Sequence, residues 1–518
     1  MSVLETAPPR VSGSPAPPPT GAEHLERLRD ERRVFIEGEL VEDVTEHPSM
    51  RNAVRSIAGL YDALHDPELR DVLCVEADAG PPRLTHRAFR ASRSREDLLA
   101  TRDAIAAWSR LSYGWMGRTP DYKASLTTTL GPNASFYGPF ADNARRWYER
   151  AQQELPFLGH AVANPPIDKH LKPHEIADVP VRIVRENDAG IFVSGAKVVA
   201  TSAAMATHCF VGQTPNTASE DPAQAVMFIV PIGAPGVRLI CRSSYEHSAA
   251  RHGSPFDYPL SSRFDENDAI LTFEDVFVPW EDVLIHRDPQ RVRAFFPSSG
   301  FVNGFLFHGC TRFAVKLDFF AGLFAKVLEC VGGMGHRSRR AMLGEVIAMR
   351  HTFWSLSNAM ASCPDAWSDG AVLPNKEAAL AHCVMGPDAY VRLVDIIQKT
   401  VASGLIYLPS CAADLEHPEI APLLEKYVRG SEGIGHVERI KLMKLMWDAI
   451  GSEFAGRHAL YERSYAGGWE CTRLMVANEA IGSGRAGAMT GLVDRCLSDY
   501  DASGWAADPW RDASTGGA

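Results

Sequence analysis

The strongest constraint on the fold of this chain is a change of hydrophobic period that begins at Pro156 and reverses near Ile285. Before it, apolar residues recur at helical spacing, most clearly over Ala22–Arg33, Met50–His65, Arg95–Tyr113 and Phe140–Leu155. Asn164-Pro165-Pro166 cannot lie inside a helix, because each proline removes a donor and restricts the residue before it. Short alternating runs follow. Val181–Val184 and Ile191–Val193 flank a turn at Glu186–Gly190 and predict a hairpin, and Ala225–Ile232, Val237–Arg242 and Ala269–Phe273 continue the series. Helical faces then return at Leu317–Val331, Val346–Met360 and Tyr390–Val401, with Ile440–Ile450 apolar nearly all round. The expected order is a Pro-, Ser- and Gly-rich disordered tail (1–21), a helical domain (22–156), a β-domain (157–287) and a helical bundle (288–518). A cofactor site is expected in a crevice between domains.

Several function classes drop out. The chain has 518 residues, is 45% hydrophobic and 23% charged, and carries a formal charge of −11, with no basic patch for nucleic acid. Its longest apolar runs are far too short for a membrane span. Ten cysteines occur singly with no C-x-x-C, and no signal peptide is read at the N-terminus, so a reduced, cytoplasmic setting is expected.

Three motifs tempt. Gly482-Ser-Gly484-Arg-Ala-Gly487 satisfies G-x-G-x-x-G, but a helical run precedes it where a strand is required. It is read as a loop between helices, which leaves no nicotinamide-binding domain. His170 and His174 are four apart, but Pro173 disfavours the helix that would bring them to one metal. No strand–G-x-S-x-G–helix context appears.

Arg110–Lys123 (RLSYGWMGRTPDYK) carries more chemistry. Ser94-x-x-Asp97 reads as a capping box opening a helix through Leu98, Ile105 and Trp108, which Gly114, Gly117 and Pro120 end. Arg118 and Tyr122 then stand on an irregular, aromatic-rich segment anchored by a packed helix. Residue types alone describe a tight connection with a structural arginine. His160, at the change of period, can donate to or accept from a phenol near neutral pH.

Taken together, RLSYGWMGRTPDYK (110–123), HAVANPPIDKH (160–170), DAGIFVSGAKVVAT (188–201), YPLSSRFDENDAI (258–270), VASGLIYLPS (401–410), KYVRG (426–430) and LMWDAIGSEFAGRHALYE (445–462) resemble one family. It is the oxygenase component of 4-hydroxyphenylacetate 3-monooxygenase, a two-component flavin enzyme, and the resemblance runs from Ala22 to Trp505. It implies a mainly α, acyl-CoA dehydrogenase-like fold with a central β-barrel, assembled as a homotetramer. It also implies reduced FAD delivered by a separate NAD(P)H-flavin reductase, with O2 as co-substrate, for ortho-hydroxylation of a para-substituted phenol. By resemblance, Arg118, Tyr122 and His160 gather round the phenol as catalytic and substrate-binding groups. The implied flavin contacts are His160, Ala161, Val162, Pro166, Ile167, Asp168, Lys169, Thr201, Ser452, Glu453, Phe454 and Ala455.

Between Phe210 and Met227, the segment VGQTPNTASEDPAQAV departs in length and composition from the phenylacetate enzymes. The family's substrate-covering loop lies here, with Gln213 and Thr214 as the implied contacts. The para-substituent is therefore open: 4-hydroxyphenylacetate, tyrosine, a cinnamate, or a tyrosyl unit on a carrier protein. Other readings share the fold. One is a 4-hydroxybutyryl-CoA dehydratase, which needs clustered cysteines for its iron–sulfur cluster. The others are an acyl-CoA dehydrogenase and a non-catalytic flavin-binding paralogue.

Overall fold

The computed structural model describes residues 15–506, apart from 169, 172 and 215–218. Helix, sheet and helix follow in the expected order, with three differences.

The first concerns the expected tail. Residues 1–14 lie outside the described residues, but the last stretch before Gly21 is packed on the body of the protein. Ala16 bridges to Arg83, its N–H donating to the Pro82 carbonyl at 3.1 Å, and Pro18 and Pro19 are buried.

The second difference is in the β region. The strands form two open sheets, and the expected closed barrel is not what the hydrogen bonding gives. The larger sheet runs Glu39–Val41, Val34–Ile36, Val237–Cys241, Asp268–Pro279, Gly190–Thr201 and Arg182–Asn187. Two of its six strands thus come from the first, mainly helical stretch, with Val34 paired in parallel to Leu239. Strands of only three residues carry too little alternation to be read from sequence. The predicted hairpin is present: Arg182–Asn187 and Gly190–Thr201 pair antiparallel, and the Asn187 side chain accepts from the N–H groups of Ala189 and Gly190. The smaller sheet runs Val283–Ile285, Met227–Pro231, His208–Val211 and Leu158–Ala161. His160 therefore sits on an edge strand, opposite Phe210.

The third difference is a helix, Pro120–Leu130, that the sequence did not announce. Ten of its eleven residues are buried, so it has no polar face and no helical stripe to read. Its proline stands at the first turn, where a missing N–H costs nothing. The helix before it, Arg95–Leu111, starts as expected, with Ser94 Oγ accepting from the Asp97 N–H. The return half of the capping box differs, because the Asp97 carboxylate takes the N–H of Arg93 instead.

The C-terminal region is a bundle of long helices, Phe301–Cys330, Arg337–Ser362, Lys376–Val401 and His436–Ile450, followed by Glu453–Arg463, Trp469–Gly482 and Arg485–Ser498. The Gly482–Gly487 motif spans the junction of the last two, with Ser483 and Gly484 between the helices and no strand before it. Among the described residues no helix is long and apolar enough to cross a membrane, and no His/Cys/Asp/Glu cluster suits a metal. All ten cysteines are free.

Candidate active site

The segment before Arg118 is held from two sides. Tyr113 and Gly114 turn the chain at positive φ (53° and 76°), and the Gly114 carbonyl accepts from Arg312 Nη1 at 3.1 Å. The N–H groups of Gly117 and Arg118 both donate to Glu266 Oε1, at 2.8 and 2.5 Å. One buried carboxylate thus fixes the backbone from which the Arg118 side chain projects. Gly117 is required because an added Cβ would overlap the Tyr461 ring.

The Arg118 guanidinium is 9% exposed and lies among three phenols. Its carbon is 4.1 Å from the Tyr122 ring centroid, 4.8 Å from that of Tyr465 and 4.9 Å from that of Tyr461. Nη1 donates to Tyr461 Oη at 3.1 Å, while Nε is buried with no partner. Burial disfavours the charge, but the three phenols and Glu266 hold the pKa above the ordinary arginine value. Burial raises the pKa of Tyr122, with Arg118 opposing it, and raises that of Tyr465 further. The cluster is therefore a permanent cation surrounded by neutral O–H groups.

His160 approaches from the sheet, its ring centroid 5.6 Å from that of Tyr122. It is half-buried, and desolvation together with Lys123 and Arg118 holds its pKa well below the usual histidine value. It is neutral at pH 7, a hydrogen-bonding ring and not a cation. Arg118, Tyr122 and His160, separated by a change of secondary structure, are brought to one place.

The residue types and geometry agree with a family match. The profile described as 4-hydroxyphenylacetate 3-hydroxylase N terminal matches residues 20–285, and the C-terminal one matches 292–494. The chain belongs to the 4-hydroxyphenylacetate 3-hydroxylase family. It is 52% identical over 489 residues to the 4-hydroxyphenylacetate 3-monooxygenase oxygenase component of Pseudomonas aeruginosa, covering 94% of each chain. It is 49% identical over 490 residues to a Streptomyces globisporus monooxygenase of a (3S)-3-amino-3-(3-chloro-4-hydroxyphenyl)propanoyl-[peptidyl-carrier protein], covering 95% of this chain and 93% of that one. A solved oxygenase component complexed with FAD and 4-hydroxyphenylacetate superposes with a TM-score of 0.86 at 29% identity, covering 92% of this chain and 99% of that one.

The residues that family resemblance assigns to the flavin fall in two groups. After His160, Ala161 is buried, Val162 and Ile167 are half-buried, and Pro166 and Asp168 are exposed. Ala161, Val162, Pro166 and Ile167 make an apolar ledge leading away from His160, and the Asp168 carboxylate stands at its end. Asn164 stiffens the ledge by accepting from Lys197 Nζ at 2.8 Å, and Ala163 by accepting from the Val198 N–H. Lys169 lies outside the described residues. Thr201 gives its hydroxyl to Asp268 at 2.6 Å, and Asp268 is held by Arg457 and Arg242.

Arg457 belongs to Glu453–Arg463, whose first turn supplies the second group. Ser452 Oγ caps that helix by accepting from the Ala455 N–H, and Ala455 is buried. Ser452, Glu453 and Phe454 line a hollow of about 340 Å³ with Tyr245, His252 and Trp447. One helix thus joins this hollow to Arg118, through Arg457 and Tyr461. An apolar ledge and a polar hollow linked in this way suit an amphipathic, ring-bearing nucleotide.

Gln213 is buried and committed to its own loop. Its Nε2 donates to the Gln224 carbonyl, and its Oε1 accepts from the Ser219 N–H at 3.3 Å. Thr214 is half-buried beside it.

Sequence reasoning missed Tyr461, Tyr465 and Glu266. Tyr461 lies inside a recognised motif, whereas Tyr465 stands three residues beyond it and past the end of the Glu453–Arg463 helix. Their partner, more than 300 residues away, gave no signal. His308, whose ring lies 5.5 Å from that of Tyr122 and which pairs with Asp121 at 3.2 Å, was missed for the same reason.

Proposed function

We propose that this protein is the oxygenase component of a two-component system that uses reduced FAD and O2 to ortho-hydroxylate a para-substituted phenol to a catechol. The observation that carries the reading is the Arg118 guanidinium lying against Tyr122, with a neutral His160 on the same ring, in a chain of this family. Reduced flavin and O2 together supply an electrophilic hydroxyl donor. The chain's residues prepare the phenol for it. Arg118 draws negative charge onto the phenol oxygen, Tyr122 donates its O–H to that oxygen, and His160, kept neutral, serves as hydrogen-bond partner to the phenol O–H on a ring nitrogen. Such groups each contribute roughly 10²–10⁴-fold as positioned acids and bases. Burial of Tyr122, Tyr465 and Trp115, with Tyr461 half-buried beside them, keeps water from the reacting centre.

His160, Ala161, Val162, Pro166, Ile167, Asp168 and Thr201 line the flavin's ring end in this reading, and Ser452, Glu453, Phe454 and Ala455 its far end. Gln213 and Thr214 shape the loop over the para-substituent. A separate NAD(P)H-flavin reductase supplies the reduced FAD. The free cysteines favour a cytoplasmic setting. The last two long helices expose Trp469, Leu474, Ile481, Met489, Leu492 and Val493, a surface suited to assembly as a homotetramer. The Streptomyces relative supports a second reading with the same chemistry, on a carrier-tethered phenol.

Incubation with a generic flavin reductase, NADH, FAD and a panel of para-substituted phenols tests the proposal, and catechol is the expected product. NADH consumption that yields H2O2 alone with every phenol overturns it.

A further inference from the structure

The Arg457 side chain is 10% exposed and answers two carboxylates at once. Its Nε and Nη2 donate to Asp268 at 3.0 and 2.9 Å, and its Nη1 donates to Glu266 Oε2 at 3.4 Å. Each carboxylate has a second task. Asp268 accepts the Thr201 hydroxyl at 2.6 Å, and Glu266 Oε1 accepts the N–H groups of Gly117 and Arg118. One guanidinium thus closes an unbroken series of hydrogen bonds, from the backbone under Arg118 to the end of the Gly190–Thr201 strand.

Neutralising charge does not account for the arrangement. Asp268 already has Arg242, whose Nε lies 3.0 Å away and whose Nη2 also holds Asp265 at 2.6 Å. Glu266 differs, because among the described residues Arg457 is the only side chain that forms an ion pair with it. What Arg457 adds is the connection between the two carboxylates. A guanidinium suits this task. Its planar fork presents separate N–H groups to two acceptors, which a lysine ammonium on a flexible stem does not.

The connection is also permanent. Burial disfavours the Arg457 charge, but Asp268 and Glu266 hold its pKa above the ordinary arginine value. Burial raises the pKa of Asp268, but Arg457 and Arg242 hold it well below the usual carboxylate range.

We infer that Arg457 is a positioning residue, which holds the Arg118 guanidinium in register with the flavin seat at Thr201 by way of Glu266 and Asp268. This rests on the proposed phenol hydroxylation and names residues that stand behind those meeting the phenol and the flavin. Hydroxyl transfer needs the phenol and the flavin in one fixed geometry, and a misplacement of about 1 Å costs up to about 10²-fold. When register is lost, reduced FAD and O2 end as FAD and H2O2, and the phenol is unchanged.

The test compares wild type with two variants that keep the polar packing. Arg457→Lys keeps the charge but cannot bridge both carboxylates. Glu266→Gln keeps an oxygen for the two N–H groups but loses the charge that faces Arg457. In single turnovers with reduced FAD and the phenol that wild type converts best, catechol yield falls about tenfold in each, with H2O2 in its place. KM for the phenol changes by less than about threefold. The double variant loses no more than the worse single one, because both cut the same link.

A second readout needs neither flavin nor turnover. 4-Nitrophenol is coloured as its phenolate, and on wild type it ionises at a pH lowered by about one unit or more by Arg118. In both variants that pH rises towards the value of the free phenol. Loss of the Glu266 charge alone would lower it, so a rise in Glu266→Gln reports displacement of Arg118. Unchanged ionisation in either variant, a fall in Glu266→Gln, an unchanged catechol yield, or losses that multiply in the double variant overturn the inference. If Arg457→Lys does not fold, Glu266→Gln decides alone by the sign of its shift. Failure of the proposed function is distinct, since wild type then makes no catechol from any phenol.

Discussion

Lys123 and Lys316 are both fully buried and both lie over aromatic rings, Lys316 at 4.0 Å from that of Trp115. They differ in one partner. Lys316 and Arg312 share the Glu462 carboxylate, at 2.9 Å for the lysine and 2.5 and 2.7 Å for the arginine, and Arg312 also ties down Gly114. Lys123 has no carboxylate. The paired cluster is a structural clamp behind the Arg110–Lys123 segment, and Lys123 lies among the Tyr122, Phe210 and Phe301 rings without one. A buried ammonium with a carboxylate partner keeps its charge, and one without a partner is pushed towards its neutral form.

The largest test breaks the clamp. Glu462→Ala leaves Arg312 and Lys316 uncompensated and should cost about 3–5 kcal/mol, read as a fall in the denaturation midpoint. Arg118→Ala acts on the other cluster. It should reduce coupled catechol formation by about 10²–10³-fold while the denaturation midpoint changes far less. Near-wild-type catechol yield would remove Arg118 from the mechanism.

Gly114→Ala tests the joint between the two regions. Its φ of +76° and a Cβ 2.7 Å from the Lys316 backbone nitrogen force a shift, at a cost of about 1–3 kcal/mol. Stability and coupling should therefore fall together, and loss of stability alone would uncouple clamp from site.

Acid separates paired from unpaired groups. His24 and His382 have pKa values lowered by burial from 6.5 to about 3, and His86 to about 4. The unfolded chain takes up these protons below pH 6.5 and the folded chain does not, so stability falls as pH drops from 6.5 towards 4. The slope is about 1.4 kcal/mol per pH unit for each fully desolvated histidine. Glu462 behaves differently. Burial raises its pKa, but Arg312 and Lys316 overcome this and lower it to about 2 from 4.5. Its contribution is complete above pH 4.5 and is lost as pH falls from 4.5 to 2. Chemical denaturation at a series of pH values resolves the two windows, and a flat profile between 6.5 and 4.5 contradicts the first.

The smallest effect belongs to Lys123→Met. Removing an unpaired buried ammonium should leave the thermal midpoint unchanged or slightly higher. A drop of several degrees would mean that its ring contacts, like the clamp, hold the fold.

The sequence reading was strongest where one face of an element is wet. The Arg95–Leu111 helix and the Arg182–Thr201 hairpin follow from their periods, because burial on one side writes a pattern. Pro120–Leu130, buried all round, wrote none, and Tyr122 was consequently assigned to an irregular segment. The disordered tail was overextended because Pro15–Pro19 looks solvated by composition, yet Ala16 finds a strand edge at Arg83. The barrel became two open sheets because strand pairing is set by hydrogen bonds between distant segments, including Val34 with Leu239.

By itself, the sequence determined the family and the helix–sheet–helix order, because contiguous motifs and hydrophobic periods are local properties. Tertiary structure alone decided which charges are answered. Glu462 reaches Lys316 across 146 residues and Tyr461 reaches Arg118 across 343, while among the described residues no side chain donates to or accepts from Lys123 Nζ. Pairing is a matter of ångströms between distant segments, and in a low-dielectric interior those ångströms decide whether a buried group keeps its charge.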